Sequence, residues 1–357
     1  LKPSILQSMF PAFPPLVFEP LFRSYLWGGR RLSTKLGKNL PSEGIWAESW
    51  EIVDHPQGQS VVQGGPWDGW SLGKLLSEHR QAILGEPVKA PISELSGAAH
   101  LDRFPLLLKY LDCQNVLSVQ VHPDDAYGLR MATPDLGKTE AWYIVDAQPG
   151  AILYGGLKEG VTREDLSEAI RTGQTEACLH AISPNAGDCI FIPAGTVHAL
   201  GAGLVVAEVQ QASDCTFRLY DWNRLDASGN ARPLHVQQAL EVIDFERGPV
   251  DRVMPIPMQS PGMQELVACD KFRLIRFDQP SSHTLELSTC RIVTVPRGSA
   301  RISTQYGNVE LNAGQSALIP QACSEAQLLV GEDSTVLAAQ PVLAAQQGLA
   351  AQPGHGS

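Results

Sequence analysis

The stretch that decides how this chain is read is Leu117-Ser118-Val119-Gln120-Val121-His122-Pro123. Apolar and polar residues alternate through it, and successive side chains of a strand point to opposite faces. Ser118, Gln120 and His122 therefore share one face, with Val119 and Val121 on the other. An arbitrary polar alternation usually marks a solvent-facing strand. Two later segments change that reading. Gly137-Lys138-Thr139-Glu140-Ala141-Trp142-Tyr143-Ile144-Val145 places Lys138, Glu140 and Trp142 on one face, and Ile192-Pro193-Ala194-Gly195-Thr196-Val197-His198-Ala199-Leu200 delivers a histidine from a Pro/Gly turn among apolar neighbours. Alone, the Lys–Glu pair reads as a solvated ion pair and His198 as a hydrogen-bonded structural residue. Together the segments offer one amide oxygen, two imidazoles and one carboxylate, an N/O set that suits zinc with an open position.

The surrounding sequence sets these segments in a β framework. From Leu16 to Val62 and from Phe104 to Ile152, short apolar or alternating runs are punctuated by Gly, Pro, Asp and Asn, the pattern of antiparallel strands. Helical spacing interrupts it at Trp70 to Leu84, and again from Thr162, read as an N-cap, to Ile182. Asp124-Asp125 after Pro123 read as a helix start rather than as catalytic acids. Further strand-like runs extend from Phe272 to Val342. Within them Ala313-Gly314-Gln315-Ser316-Ala317-Leu318-Ile319-Pro320 echoes Asn185-Ala186-Gly187-Asp188-Cys189-Ile190-Phe191-Ile192-Pro193: a Gly turn, a short apolar strand, a proline. This weak internal repeat suggests two related β-barrels.

The expected organisation is mainly β, with two jelly-roll barrels carrying helical insertions. An N-terminal extension is expected over 1–15, a first barrel over 16–238 with insertions near 68–100 and 160–182, a second over 239–343, and a disordered tail over 344–357.

Composition limits the function classes. The chain has 357 residues, with 27 Lys and Arg against 38 Asp and Glu, for a formal charge of -11. That excess gives no general attraction to nucleic acid or to an acidic membrane, so any anionic ligand needs a local basic cluster. Seven cysteines without a C-x-x-C spacing suggest neither a disulfide framework nor a thiolate zinc site. With no apolar stretch near 18 residues and no signal-like start, a cytoplasmic protein is expected.

The order of the ligand-bearing segments follows that of the cupin barrels, and the chain resembles type I mannose-6-phosphate isomerases of the shorter bacterial form. The resemblance runs from about Phe18 to Val342. It is carried by Tyr25-Leu26-Trp27-Gly28-Gly29, Ala47-Glu48-Ser49-Trp50, His55-Pro56, Leu108-Lys109, Val119 to Asp124, Gly137 to Glu140, Pro193 to Ala199, and Glu208 through Ser213-Asp214 to Arg218. It implies cupin barrels, one zinc per chain held by Gln120, His122, Glu140 and His198, and interconversion of mannose 6-phosphate and fructose 6-phosphate.

The residues fit such chemistry. One anionic ligand leaves zinc a formal charge of about +1, so a neutral Gln keeps it an effective Lewis acid. Lys109, Lys138 and Arg218 are the expected basic cluster for a sugar phosphate. Proton transfer between adjacent carbons through an enediolate needs a base, for which His55, Glu208 and Asp214 are the alternatives. Glu48, Ser118 and Trp27 are expected to line the substrate site. The second barrel has Gln321-Ala322-Cys323 after its proline and no Q-x-H strand, so no metal is expected there. The competing function is a catalytically silent sugar-phosphate-binding or regulatory protein. The expected partner is a small-molecule sugar phosphate, with the chain a monomer or homodimer.

Overall fold

The computed structural model describes residues 12–41, 43–85, 102–225 and 229–342. The expected tail at 344–357, the first eleven residues and the whole 86–101 stretch, with the later part of the insertion expected near 68–100, lie outside them. The chain is mainly β, and it divides into two compact units. The first comprises residues up to 20, 51–105 and from 255 onward; the second comprises 21–50 and 106–254. This corrects the expected division at 238/239, because 51–105 groups with the C-terminal strands and 239–254 with the preceding ones.

In the first unit, a seven-stranded and a four-stranded sheet share one apolar cluster. Phe277, Val293, Ala317 and Val336 come from the larger sheet, and Leu285, Ile302, Leu311 and Leu328 from the smaller. The expected N-terminal extension over 1–15 also needs correction. Phe13 is fully buried, stacks on Trp67 at 4.6 Å, and its carbonyl accepts from Cys323 Sγ, so Phe13 is part of the fold. The helix Leu72–Leu84 starts at Ser71, whose hydroxyl accepts from the Lys74 amide, an N-cap interaction.

The second unit has a six-stranded sheet in the order Cys189–Ile192, Glu140–Ala147, Leu204–Gln211, Leu106–Cys113, Glu48–Ile52, Leu21–Arg23. Glu48–Ile52 runs past residue 50 into the other unit's share of the chain. Its five-stranded sheet runs Leu179–Ile182, Leu153–Leu157, His198–Leu200, Val119–Val121, Phe217–Tyr220. The predicted helical run over 160–182 is shorter than expected. Thr162 and Asp165 form a capping box for the helix Arg163–Arg171, and the chain then turns into the strand Leu179–Ile182.

The alternation at Val119–Val121 now has a cause. Val119 and Val121 pack in a cluster with Leu166 and Ala169 of that helix and Ala239 of the helix Val236–Val242. Helices thus cover the apolar side of the strand, which leaves Gln120 and His122 on the side facing the other sheet.

The internal repeat is visible in the backbone. Gly187 and Gly314 both take positive φ, 96° and 81°. Their amides donate to Ile144 and Val295 at 2.8 and 2.7 Å, on the strands paired with Cys189–Ile192 and Ser316–Ile319. Each turn needs the left-handed backbone that glycine adopts freely. Among the described residues, no helix is long and apolar enough to cross a membrane.

Candidate metal and substrate site

The two sheets of the second unit each present a row of functional side chains. In the five-stranded sheet Gln120 pairs in register with His198 on one side and with Arg218 on the other. His122 follows immediately, at the end of its strand. In the six-stranded sheet Glu140 opens its strand beside Gln210, and Glu208 stands between Lys109 and Trp142.

Three of these side chains converge. Glu140 Oε1 lies 3.5 Å from His198 Nε2, Glu140 Oε2 lies 3.5 Å from His122 Nε2, and one ligand atom from each falls within 4.8 Å of the others. Gln120 adds its amide 3.2 Å from His198 Nε2. Each imidazole is held from behind: His122 Nδ1 is 2.9 Å from the Cys215 carbonyl and His198 Nδ1 is 2.9 Å from that of Thr196. An Nδ1–H donated to a carbonyl leaves the Nε2 lone pair facing the centre, the arrangement that orients metal-binding histidines.

Electrostatics favours the same use. Burial, reinforced by Lys138, lowers the His122 imidazole to about 3, and burial also lowers His198, so both stay neutral as ligation requires. For Glu140 burial acts upward, yet the carboxyl is held well below its usual range, with the Lys138 ammonium the largest influence in that direction. Glu140 Oε2 is buried without a hydrogen-bond partner. The Lys138 ammonium sits 3.1 Å from His122 Nε2 and 3.3 Å from Glu140 Oε2. A cation already stands among these donors, and the residues fit a divalent ion of the zinc type.

A cleft of about 300 Å³ adjoins this group through Gln120 and Lys138, and is lined as well by Trp27, Glu48, Lys109, Ser118, Glu208, Asp214 and Arg218. Nearly every residue expected at the site is therefore brought together. Lys109 is 3.0 Å from Glu208 and 3.9 Å from Glu48, and Glu48 in turn accepts from Trp50 Nε1 at 2.6 Å. Burial and Glu140 raise the Glu208 carboxyl to about 7 against the pull of Lys109 and Lys138. Ser118 Oγ reaches Gln120 Oε1 at 3.4 Å, and Trp27 stacks on Tyr25 at 5.6 Å as one wall.

His55 is the exception. It lies in the short strand Asp54–His55 of the first unit, does not line the cleft, and accepts the Gln57 amide at its Nδ1. Of the three bases the sequence offered, Glu208 and Asp214 line the cleft, together with Glu48.

The expected basic cluster is also redistributed. Lys109 and Lys138 are matched by Glu208, Glu48 and Glu140, whereas Arg218 faces the cleft with no carboxylate of the described residues within salt-bridge distance and Arg232 shares Asp221 with Arg224. Arg218 hydrogen bonds the Pro233 carbonyl at 2.9 Å and its buried Nε has no partner. Arg232 lines the cleft beside it. Burial and the neighbouring Arg232 both press the Arg218 pKa down. Sequence reasoning missed Arg232, Thr216 and Tyr25. Arg232 lies in the polar segment after Trp222, where only its adjacency to Pro233, the acceptor of Arg218, hints at the cleft.

Comparison with known proteins agrees with this architecture. The model of the phosphomannose isomerase type I catalytic domain matches residues 16–141. Mannose-6-phosphate isomerase ManA of Bacillus subtilis (strain 168) is 35% identical over 317 residues, covering 88% of this chain and 95% of that protein. The chain belongs to the type I phosphomannose isomerase family. The mannose-6-phosphate isomerase of Streptococcus mutans shows the same 35% identity over 317 residues. The crystal structure of the Bacillus subtilis mannose 6-phosphate isomerase superposes with a TM-score of 0.80 at 30% identity, covering 92% of this chain and all of that one. Against this phosphomannose isomerase the mainly β, cupin-type fold expected from the sequence is observed over nearly the whole chain.

Proposed function

We propose that the chain is a zinc-dependent aldose–ketose isomerase that interconverts mannose 6-phosphate and fructose 6-phosphate through an enediolate. The observation that carries the reading is the buried His122–Glu140–His198 group, next to Gln120 and Lys138, which line a cleft that Arg218 and Arg232 also line. Membership of the family supports the substrate.

Gln120, His122, Glu140 and His198 would hold the ion. When bound, zinc supplies Lewis-acid polarisation of the sugar oxygens. The protein's own groups do the rest. Glu208, buried beside Lys109, takes the proton from carbon and returns it to the neighbouring carbon; burial acts to raise its carboxyl, the direction that suits a base exchanging a proton near neutrality. Lys109 keeps Glu208 oriented at 3.0 Å. Arg218, one strand from Gln120, stabilises negative charge developing on the sugar oxygens. Arg232, at the same cleft wall, grips the phosphate. Trp27 and Tyr25 form the apolar wall that limits water on one side.

Among the described residues all the cysteines are free, which supports a reducing, cytoplasmic setting. The test is a coupled assay for fructose 6-phosphate formation before and after chelation, with zinc added back. Turnover that vanishes with chelation and returns with zinc supports the reading. Tight sugar-phosphate binding with no turnover in the zinc-loaded protein would favour the silent binding protein instead.

A further inference from the structure

One buried carboxylate beside the cleft has no part in the chemistry above. Asp221 follows the strand Phe217–Tyr220, which carries Arg218, and is 6% exposed. Its two oxygens accept from Arg232, Nε to Oδ2 at 2.7 Å and Nη2 to Oδ1 at 2.6 Å. Oδ1 also pairs with Arg224 Nη2. Burial acts to raise this carboxyl, yet the two guanidiniums hold it below the ordinary range, so it remains an anion.

The backbone that follows is strained. Trp222 and Asn223 take φ of 57° and 55°, and the Arg224 amide donates to the Asp221 carbonyl at 3.0 Å. That closes a turn with both central residues left-handed, one of them a bulky tryptophan. Such strain persists only where the surroundings over-determine it. Here Trp222 Nε1 donates to the Leu117 carbonyl at 2.6 Å and Arg224 Nη1 to that of Val116. Both acceptors lie on the segment leading into Ser118, Gln120 and His122. The turn is thereby fixed to the strand that carries the metal ligands.

We propose that Asp221 is a positioning residue, which fixes the Arg232 guanidinium at the cleft wall so that its free N–H groups meet the phosphate of the substrate. This rests on the assignment of Arg232 to the phosphate. A guanidinium has five N–H donors; the carboxylate engages two and leaves three for a ligand. Sharing Asp221 with Arg224 matters as much. One carboxylate between two guanidiniums leaves a net positive charge, whereas a private Asp–Arg pair would cancel it. Arg232 is thus rigid and still cationic, which spares the ordering cost a loose arginine would meet on binding.

Kinetics of Asp221→Asn, Arg232→Ala and the double variant test this, with inorganic phosphate as competitive inhibitor and zinc content checked in each. Asp221→Asn is expected to raise the KM for mannose 6-phosphate and the phosphate inhibition constant about tenfold together, with kcat within about twofold. Added to Arg232→Ala, it should change neither further, because its effect passes through that arginine. An Asp221→Asn factor that persists in full on the Arg232→Ala background, or that falls on kcat alone, overturns the proposal. An unchanged KM in Arg232→Ala overturns the phosphate assignment, whereas a raised KM there beside wild-type Asp221→Asn overturns only the role of Asp221. Should Asp221→Asn not fold, Arg232→Lys decides: it keeps the charge but loses the two-point attachment, so a KM near that of Arg232→Ala supports positioning and a wild-type KM rejects it.

Discussion

Gln120 and His198 stand directly opposite one another in adjacent antiparallel strands, and their side chains meet 3.2 Å apart. On its other flank Gln120 pairs with Arg218, so imidazole, amide and guanidinium occupy one row across three strands. Neighbouring strands are about 4.8 Å apart. The register therefore sets the candidate metal ligand Gln120 one strand spacing from the Arg218 backbone, and on the function proposed above that brings a metal ligand beside the group that stabilises charge.

Replacing a ligand tests the floor of that site. His122→Ala, His198→Ala and Glu140→Ala each remove a donor from a buried group and should lose stoichiometric zinc together with turnover. Gln120→Ala removes a neutral and weaker donor and should retain zinc that dialysis strips more readily. Elemental analysis after dialysis is the check, with about one zinc per wild-type chain. Full zinc in both histidine variants would show that the ion sits elsewhere.

Lys138 should behave differently from the phosphate ligand that the sequence suggested. Its ammonium lies among the ligand atoms, 3.1 Å from His122 Nε2, and so competes with or repels a bound cation. Lys138→Met is expected to tighten zinc against a competing chelator while lowering kcat, with the KM for mannose 6-phosphate little changed. A variant that binds zinc no more tightly than wild type and whose KM rises would restore the phosphate role.

Arg218→Ala separates charge stabilisation from binding. Zinc content should stay normal while turnover falls on the order of 10²-fold or more, the scale of a lost oxyanion partner. If instead KM rises and kcat holds, Arg218 grips the phosphate along with Arg232.

The ligand-bearing segments were legible because each is written locally. Alternation through Val119–Val121 fixes the face of Gln120, and the resemblance to the cupin order of ligands joins it to Glu140 and His198, which spacing alone leaves as half of an ion pair and a structural histidine. The acids were harder. His55 sits beside a proline in a polar run and looks catalytic in one dimension, yet its surroundings are a two-residue strand and the Gln57 amide. The N-terminal extension expected over 1–15 failed for a related reason: Phe13 stacks on Trp67, 54 positions away, which no local pattern encodes. Arg232 was missed because its place at the cleft goes with Asp221, 11 positions earlier, and with a turn in which Asn223 fits the left-handed backbone but the bulky Trp222 gives no such signal. Boundaries suffered likewise, since 51–105 joins strands that begin 150 residues later.

Gly28 offers a test of packing at the cleft wall. A Cβ there would lie 2.6 Å from the backbone of Ala47, closer than atoms can approach, and Trp27 precedes it. Gly28→Ala should destabilise by about 1–3 kcal/mol, as overpacking does, and displace the Trp27 wall. Chemical denaturation with a melting scan gives the measurement; a wild-type midpoint would mean that the Ala47 strand yields freely.

The pH dependence of stability provides the last test, centred on Glu208. In the native metal-free protein its carboxyl is raised to about 7 from an ordinary 4.5. Between those values the native state keeps a proton that the unfolded chain releases, so this group's stabilisation is full below about 4.5 and lost as pH rises through about 7. His122 works in the opposite sense: lowered to about 3 from 6.5, it stays neutral while the unfolded chain protonates, so its stabilisation is present above 6.5 and lost on acidification toward 3. The two overlap and partly cancel, which makes the wild-type curve alone uninformative. The difference between wild type and Glu208→Gln, measured by denaturant unfolding in excess chelator, isolates the carboxyl. That difference should shift against the wild type as pH climbs from about 4.5 to 7 and then level off. In the zinc-loaded enzyme the base must be ionised, so kcat/KM should rise with pH along a limb that Glu208→Gln removes together with most of the turnover. Parallel stability curves combined with near-normal turnover in the variant would take the proton transfer away from Glu208 and leave Asp214 as the acid at the cleft to examine.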